Sequence, residues 1–495
     1  MLFISFYDFY ALITEIYLLS STCVLLIYGV ILNTSFKRGF PVLDQNIGGL
    51  SAQILIFSLW LNLCSKTPHL VSWNGLLCHD FLSFGMKSAL LGVALLWTFT
   101  VFSYNRIEKI NFYEYWIVSM LAIVAMLFIS DSFDFLVMYL SIEFQSIAFY
   151  ILASFKRTSE FSTEAGLKYF VLGAFSSAIL LLGISLLYGT TGLTNFGDLS
   201  NFFLGITSTN TFFLNTAIFS VVLIEVALLF KISAAPFHMW SPDVYEGAPT
   251  NVTAFFGILP KLVLISVILR LLFFCLSDIT EIINLTLVIC AFLSMIVGTF
   301  GALSQTKWKR FVAYSTISHV GFILAGFSTQ EFTGAFGALF YIVIYTLTAL
   351  ATFSIVLSFR SMSYPATYQL RYLNDAISLI KINPMLSINL VIILFSMAGI
   401  PPLPGFFAKA FILLALLQEK LTGLAIAAVI LSCISCFYYI RLIQTMYFVN
   451  FKTITVFYPI EKEKSIILSI SILSLILVFI KIDLLSNFVQ CMLFL

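Results

Sequence analysis

Fourteen apolar windows, each about twenty residues long, follow one another along the chain with short polar loops between them. A helix of about twenty residues crosses a bilayer core of about 30 Å, because each residue adds about 1.5 Å. Only 10% of the residues are charged, which is too few for an ordinary water-exposed surface. We therefore predict an all-α integral membrane protein of about 14 transmembrane helices, called spans 1 to 14 below.

Lysine and arginine are divided unevenly between the two sets of loops. The loops that follow odd-numbered spans hold sixteen of them, whereas the opposite side holds only Lys66, Lys420 and Lys481. The positive-inside rule then places the odd-numbered loops in the cytoplasm or matrix and both termini on the other side. The N-terminal residues resemble neither a signal peptide nor a transit peptide. We expect either a gene that resides in the protein's own compartment or a prokaryotic cell.

Some charged residues lie inside the spans or at their ends. They are Glu15, Lys87, Glu143, Lys168, Glu225, Lys231, Lys261, Arg270 and Lys409. A charge at mid-bilayer costs about 2.5–3.5 kcal/mol, so such residues usually face a polar interior and mark an ion or proton pathway. Lys87 and Arg270 are near span ends, and we expect their long side chains to reach the interface. The sequence leaves Lys168 open between these two interpretations and does not indicate a role for Glu225.

Spans 7 and 12 each combine a lysine with helix-breaking prolines. Lys231 lies in "FKISAAPFHMWSPDVYEGAPT" and Lys409 in "SMAGIPPLPGFFAKAFIL". The breaking residues are Pro236 in span 7 and Pro401, Pro402 and Pro404 in span 12. Proline frees backbone carbonyls, and a membrane tolerates such irregular backbone only against protein or water. Both breaks are therefore predicted to line hydrated cavities.

The broken spans are five apart, so equivalent helices of the two halves run in opposite directions. This layout predicts two inverted five-helix repeats, spans 4–8 and spans 9–13. The corresponding divisions are residues 1–104 for three N-terminal spans, 105–276 for the first repeat, 277–450 for the second, and 451–495 for span 14. His319 lies in the middle of span 10. A lone histidine is more often a hydrogen-bonded core residue, but among these charges it is a candidate proton relay.

A buried lysine can lose its proton, and a nearby acid such as Glu143 can hold that proton in place. A broken helix lets water reach the ammonium group. The combination of Glu143 with Lys231 therefore suits a proton that stops midway across the membrane and is released on demand.

Four stretches resemble a known family: "EFSTEAGLKYFVLGAFSSA", "FKISAAPFHMWSPDVYEGAPT", "KRFVAYSTISHVGF" and "AGIPPLPGFFAKAF". They closely resemble the subunit 2 family of respiratory complex I, the proton-translocating NADH–ubiquinone oxidoreductase, whose bacterial members are called subunit N. The resemblance covers essentially the whole chain and is greatest to plant-type mitochondrial members. It implies an antiporter-like fold with fourteen helices, two inverted repeats, and breaks in spans 7 and 12.

The resemblance also implies roles for individual residues. Glu143 matches the glutamate of span 5, and Lys231 matches the span 7 lysine that pairs with it. Lys168, Lys261 and Lys409 match the lysines of spans 6, 8 and 12. These five residues would transfer protons. Lys409 argues against the sister subunit of the same complex that has a glutamate at this place.

As a member of this family, the chain would be a subunit of an H⁺-translocating NADH:ubiquinone reductase without a redox centre of its own. NAD, FMN, iron–sulfur clusters and ubiquinone would be bound by other subunits, and the sequence shows neither a nucleotide fingerprint nor a metal-spaced cysteine cluster. Its partners would be the other membrane-arm subunits, including two sister antiporter-like subunits, and membrane lipids, but no nucleic acid. Its place would be the mitochondrial inner membrane, with both termini facing the intermembrane space.

The sequence leaves three other interpretations of the function open. The first is an Mrp-type or free-standing cation/proton antiporter, which uses the same fold and lysines without a redox partner. The second is a plastid-type relative of complex I, and the third is a structural spacer with a vestigial channel.

Overall fold

The computed structural model describes residues 2–33, 42–65, 70–108, 110, 112–204, 211–277, 280–363, 366–377, 379–449 and 457–493. Within these ranges it is a bundle of α-helices with two short β-hairpins. Twelve helices of the described residues are long and apolar enough to cross a membrane.

The N-terminal part forms spans 1 to 3. A short helix, α1 (Leu2–Ala11), precedes α2 (Ile13–Asn33), α3 (Val42–Cys64) and α4 (Phe81–Glu108), which are these three spans. Between spans 2 and 3, strand β1 (Leu70–Ser72) pairs antiparallel with β2 (Leu77–His79). This hairpin lies at the same end of the bundle as the beginning of α4.

The first repeat follows. Its spans are α5 (Glu114–Asp131), α6 (Phe135–Ala153), α7 (Glu160–Thr191), the two halves α9 (Thr211–Ile232) and α10 (Trp240–Gly247), and α11 (Thr250–Arg270). A short helix, α8 (Phe196–Leu204), connects spans 6 and 7, and a π-helical turn, Leu271–Cys275, extends α11. Span 7 is thus divided where the sequence predicts a break.

The second repeat has the same plan. Its spans are α12 (Thr280–Leu303), α13 (Trp308–Phe327), α14 (Phe332–Ser358), the two halves α16 (Pro384–Ala398) and α17 (Pro404–Gln418), and α18 (Thr422–Phe448). The connection between spans 11 and 12 contains the hairpin of β3 (Arg360–Ser363) and β4 (Ala366–Gln369), followed by the short α15 (Leu379–Ile382). Span 14 is α19 (Lys462–Ile480), and α20 (Ile482–Leu493) follows it.

The two repeats place the same neighbours side by side. α5 packs against α6 as α12 packs against α13, and α7 packs against α9 as α14 packs against α17. With α13 and the divided span 12 added to the twelve long apolar helices, the described residues contain the fourteen predicted spans. The predicted fold class is confirmed. The residue ranges assigned to the divisions stay a prediction, and the boundary at 450–451 lies outside the described residues.

α11 and α14 form the centre of the bundle. In each, 89% of the membrane-crossing window is buried within the protein, whereas 39% of the α7 window is buried. α7 turns large apolar side chains such as Leu167 and Phe175 outward. Lipid is as apolar as those side chains, so α7 can face it without loss. Lipid offers no hydrogen bonds, and polar side chains are therefore most stable on the central helices, where other protein groups surround them.

One glycine permits the close contact between α7 and α9, and this contact can be tested. A Cβ atom at Gly183 would lie 2.9 Å from the carbonyl oxygen of Ser220 and 3.1 Å from the backbone nitrogen of Ile224, whereas one at Gly189 of the same helix would meet nothing within 4 Å. We expect Gly183→Ala to destabilise the protein by about 1–3 kcal/mol through overpacking. Gly189→Ala is the matched control, and its better helix propensity should raise stability by up to about 1 kcal/mol.

The measurement is the midpoint of thermal unfolding of both variants in the same detergent. A midpoint for Gly183→Ala equal to or above that of Gly189→Ala would contradict the packing of these two helices.

Candidate functional site

The break in span 7 is stabilised by protein donors. Pro236 lies in the irregular segment between α9 and α10, and Ser233 there has a φ of 68°. The carbonyl oxygen of Phe230 accepts hydrogen bonds from the backbone of Ser233 at 3.0 Å and from Trp240 Nε1 at 2.9 Å. The break thus leaves this carbonyl satisfied, which is the condition for irregular backbone at membrane depth.

A small cavity with mostly apolar walls lies beside this break. Lys231 and Lys261 both line it. The other lining residues are Ile142, Gln145, Ser146, Phe149, Tyr169, Trp240, Tyr245, Phe256, Pro260 and Leu264. It offers about 20 Å³ to the centre of a water molecule, which is room for one. The lysines of spans 7 and 8 therefore face a common space, to which Gln145 and Ser146 add polar groups.

Glu143 lies next to this cavity but not in direct contact with Lys231. One carboxylate oxygen lies 3.4 Å from Ser146 Oγ, whose nearer acceptor is the backbone carbonyl oxygen of Glu143 at 2.9 Å. The other carboxylate oxygen has no hydrogen-bond partner among the described residues. Its charge acts on the Lys231 ammonium group, although no carboxylate of the described residues lies within 4.0 Å of that group. Because Ser146 also lines the cavity, its hydroxyl connects the carboxylate with the space in front of Lys231.

Lys261 is at the centre of the bundle. It is 2% exposed, and its ammonium group has no hydrogen-bond partner among the described residues. The nitrogen lies 5.5 Å from the centre of the Tyr345 ring, a cation–π contact. Pro260 precedes it within α11 and removes a backbone donor. The carbonyl oxygen of Phe256, four residues before this proline, accepts instead from Tyr245 Oη at 3.3 Å.

Aromatic side chains connect Lys261 with the second broken span. The ring of His319 lies 5.7 Å from that of Tyr345, and its Nδ1 is hydrogen-bonded to Tyr341 Oη at 2.7 Å. Tyr341 stacks on Phe322 with 6.0 Å between ring centres. The Lys409 nitrogen lies 5.2 Å from the centre of the Phe322 ring. We call these four residues, Tyr345, His319, Tyr341 and Phe322, the aromatic bridge.

Lys409 itself holds the break in span 12 together. Its Nζ donates a hydrogen bond of 2.7 Å to the carbonyl oxygen of Ala398, the last residue of α16. Gly399 follows with a φ of 80°, a conformation that favours glycine. Pro401 and Pro402 lie in the turn, and Pro404 begins α17. In both broken spans a side chain thus donates to a carbonyl group near the break.

Lys168 is placed apart from these groups. Its side chain is 45% exposed and pairs with Glu164 at 2.8 Å and with Asp243 of α10 at 3.4 Å. It does not line the cavity that contains Lys231 and Lys261. Its role in proton transfer stays a prediction.

The expectation that Lys87 and Arg270 reach the interface is wrong. Lys87 is 3% exposed and Arg270 is 2% exposed. Lys87 pairs with Glu15 at 2.6 Å and also contacts Asp131, while Arg270 pairs with Asp80 at 2.9 Å. Both cations stay inside because neighbouring elements supply buried carboxylates, which position within a span does not indicate.

Glu225 is buried and lies elsewhere. One of its carboxylate oxygens accepts a hydrogen bond of 2.6 Å from Thr286 Oγ1 of α12. It lines an apolar pocket with Val221, Ile224 and Leu228 rather than the cavity of the two lysines. It therefore leaves the geometry around Lys231 undisturbed.

The sequence interpretation missed the tyrosines of the aromatic bridge. Tyr341 and Tyr345 are four residues apart in α14 and so share one helix face. Two hydroxyl groups on one face of an apolar span are a signal that could have identified them. In the part of the chain that the structure describes, no three His, Cys, Asp or Glu side chains are grouped as a metal site requires.

Comparison with known proteins supports the same reading of the fold. The family model described as "NADH:quinone oxidoreductase/Mrp antiporter, TM" matches residues 132–435. The NADH-ubiquinone oxidoreductase chain 2 of Marchantia polymorpha is 42% identical over 470 residues, which are 94% of this chain and 94% of that protein.

Two solved structures have the same fold. A chain of respiratory complex I from Thermus thermophilus matches with a TM-score of 0.79 and 23% identity, over 96% of this chain and 98% of that one. A chain of the Mrp complex from Dietzia sp. matches with a TM-score of 0.81 and 18% identity, over 98% and 96%. The fold, the length of the match and the identity to the Marchantia protein agree: this chain belongs to the NADH:quinone oxidoreductase/Mrp antiporter family and, within it, to the family of NADH-ubiquinone oxidoreductase chain 2.

Proposed function

We propose that this chain is a proton-translocating membrane-arm subunit of an NADH–ubiquinone oxidoreductase, respiratory complex I. Electron transfer from NADH to ubiquinone takes place in other subunits and drives protons through this one. The observation that carries the proposal is the pair of lysines, Lys231 and Lys261, that share one small cavity beside a broken helix. Burial disfavours the charged form of an amine, which is the condition for a lysine in such a place to release a proton.

The path runs from Glu143 to Lys231, through the cavity to Lys261, and on to Lys409 by way of water and the polar side chains of the aromatic bridge, since Phe322 itself carries no exchangeable hydrogen. Neighbouring charged groups act on each other over short distances in a medium of low polarity. A change of charge on Glu143 therefore alters how firmly Lys231 holds its proton, and the disturbance passes to Lys261. His319 and Tyr341 contribute exchangeable hydrogen atoms between the last two lysines, and their hydrogen bond supports His319 as a relay.

Lys168 lies beside the path rather than on it. Its pairing with Asp243 connects α7 with α10, the second half of the broken span. We expect Lys168 to take part in proton transfer through its charge at the end of the break, because it does not line the cavity between Lys231 and Lys261.

The protein acts as a multi-pass protein of the mitochondrial inner membrane. The likeness to the Marchantia chain supports this location. Both termini face the intermembrane space, because lysine and arginine are concentrated in the odd-numbered loops. Its partners are the other membrane-arm subunits, among them two sister antiporter-like subunits, and NAD, FMN, iron–sulfur clusters and ubiquinone are held by other subunits.

An Mrp-type cation/proton antiporter is the second candidate, since the family model includes both groups and an Mrp chain has the same fold. Gentle solubilisation followed by native electrophoresis separates the two. Co-migration with NADH dehydrogenase activity supports the first function, and migration without it supports the second.

The first prediction from this proposal concerns the titration of Lys231. Lys231→Arg should assemble yet lower the proton-to-electron ratio by the share of protons that passes through this chain, because guanidinium keeps its charge at neutral pH and releases no proton. Lys231→Ala should also fail to pump. Lys481→Arg, an exposed position at the end of α19, is the matched control and should behave as the unaltered protein.

Assembly is checked by native electrophoresis, and the ratio is measured in vesicles that contain the complex. If Lys231→Arg assembled and pumped with an unchanged ratio, titration of this lysine would have no part in the mechanism.

The second prediction separates two roles of Lys409. Lys409→Met leaves the Ala398 carbonyl without its donor, which should cost about 1–3 kcal/mol of stability as well as pumping. Lys409→Arg retains a donor at this place and should keep the stability, but it should not restore pumping because its charge is fixed. Lys420→Met, at the exposed end of α17, controls for the loss of a lysine.

Thermal inactivation reports stability, and the proton-to-electron ratio reports pumping. Full pumping by Lys409→Arg would show that this lysine has only the structural role.

A further inference from the structure

A second group of buried charges lies at one end of the bundle, away from the aromatic bridge. Lys87 of α4 is 2.6 Å from Glu15 Oε1 of α2 and contacts Asp131 Oδ2 at the end of α5. His79 Nδ1 of β2 lies 3.4 Å from the same Asp131 oxygen. We call Glu15, Lys87, Asp131 and His79 the terminal cluster. All four side chains are buried.

Polar groups of the described residues lie against the terminal cluster. Thr14 Oγ1 donates to Glu15 Oε2 at 2.7 Å, and Ser72 Oγ lies 3.3 Å from His79 Nε2. Ser130 Oγ lies 3.5 Å from Asp131 Oδ1, but its nearer acceptor is the carbonyl oxygen of Leu127 at 2.7 Å. The neighbouring charged pair is Asp80 with Arg270, the last residue of α11. Cys78 completes the set, with its Sγ 3.9 Å from Asp80 Oδ2.

Asp80 and Arg270 balance each other. Arg270 Nη2 donates to both carboxylate oxygens of Asp80 at 2.9 Å, and Nη1 donates to the carbonyl oxygens of Ser130 and Ser132. Hydrogen bonds between ionised groups are stronger than those between neutral groups, although both contacts here come from the single nitrogen Nη2. The pair is neutral as a whole, so it neither supplies nor removes charge from the terminal cluster.

The terminal cluster itself is not balanced. Two carboxylates, Glu15 and Asp131, share a single ammonium group, that of Lys87. One negative charge is left over in a buried place, and two carboxylates that share one site do not both remain ionised without further compensation. A single proton removes the excess.

Groups on β2 do not supply this compensation. Burial and the nearby Lys87 charge lower the pKa of His79 to about 3, so its imidazole is neutral at physiological pH. Burial raises the pKa of the Cys78 thiol to about 12, so it stays protonated. The compensating proton therefore lies with the carboxylates.

We propose that the terminal cluster is a proton-binding site in which Glu15 and Asp131 share one exchangeable proton beside Lys87. It lies on the side of the bundle opposite to the loops rich in lysine and arginine. Binding takes one proton from water and forms one O–H bond on a carboxylate oxygen, and release breaks that bond and returns the proton to water.

The terminal cluster is also connected with the central site. α11 carries Arg270 at its end and Lys261 nine residues earlier, about 13 Å along the helix axis. Arg270 holds the end of α5 that carries Asp131. The terminal cluster could therefore be the last site that a proton occupies before release. This role rests on the proposed function, whereas proton binding by the cluster does not.

The test compares infrared spectra of the intact complex with and without each substitution at neutral pH. A protonated carboxyl group has a carbonyl band of its own, which a carboxylate lacks, so the difference between two spectra shows the gain or loss of one such group. Glu15→Gln removes one negative charge and leaves Lys87 balanced by Asp131, so the band of one carboxyl group per complex should be lost. Glu15→Asp keeps the charge and should keep the band. Glu331→Gln is the control, an exposed carboxylate at the beginning of α14 on the same side of the membrane, and should change nothing.

An assembled Glu15→Gln complex with an unchanged band would overturn the proposal, and so would the absence of any protonated carboxyl band from the unaltered complex at neutral pH. Asp131→Asn also removes one of the two carboxylates beside Lys87. If Glu15→Gln fails to assemble, loss or retention of the band in the Asp131→Asn complex decides whether the cluster binds a proton. Loss of the band with an unchanged proton-to-electron ratio would support proton binding and reject the stopping-place role. The ratio of the Lys231→Arg complex tests the proposed function separately.

Discussion

The burial of lysine side chains in a protein surrounded by lipid is the constraint on which the rest of the structure depends. Each ammonium group must find a partner, a polar cavity or an aromatic face, because lipid offers none. Lys409 finds a carbonyl group at the break of its helix, Lys231 and Lys261 share a cavity beside another break, and Lys87 is held by two carboxylates. The breaks in spans 7 and 12 are therefore part of how the charges are accommodated, and the central helices α11 and α14 provide the shielded space.

The three central lysines differ in how firmly the protein holds them. Lys409 has a direct hydrogen bond, Lys231 has the charge of Glu143 nearby, and Lys261 has neither. These contacts set how strongly each ammonium group is stabilised in its charged form. A proton moves along a chain of lysines only if this stabilisation differs from one lysine to the next and can change. The aromatic bridge gives the most weakly held lysine a continuous contact with the most firmly held one. The terminal cluster differs from the central site in its charge, because two carboxylates there share one ammonium group.

Much of this arrangement could be predicted from the sequence. Apolar windows and loop charges predicted the fourteen spans, and the prolines around 236 and 401–404 predicted where two of them break. Position along a span also indicated that Lys261 and Lys409 are buried and that Lys231, which is partly buried, lies inside the bundle. It failed for Lys87 and Arg270, because whether a lysine near a span end points outward depends on which helix packs beside it. Contacts such as Glu15 with Lys87, 72 residues apart in the chain, or His319 with Tyr341 between two helices, have no signature in a single sequence. The exposed position of Lys168 likewise depends on how α7 is turned within the bundle.

The proton-to-electron ratio of an assembled complex with Lys261→Met tests the central claim most directly. Methionine resembles lysine in length and shape but carries no charge, and the Lys261 ammonium group has no hydrogen-bond partner among the described residues. Removing an unpaired buried charge should leave the fold as stable as before or more stable. Loss of pumping therefore cannot be attributed to loss of structure. The account predicts a complex with unchanged or raised thermal stability and a clearly lowered ratio. An unchanged ratio would contradict the claim that protons pass through the centre of this chain by way of its buried lysines.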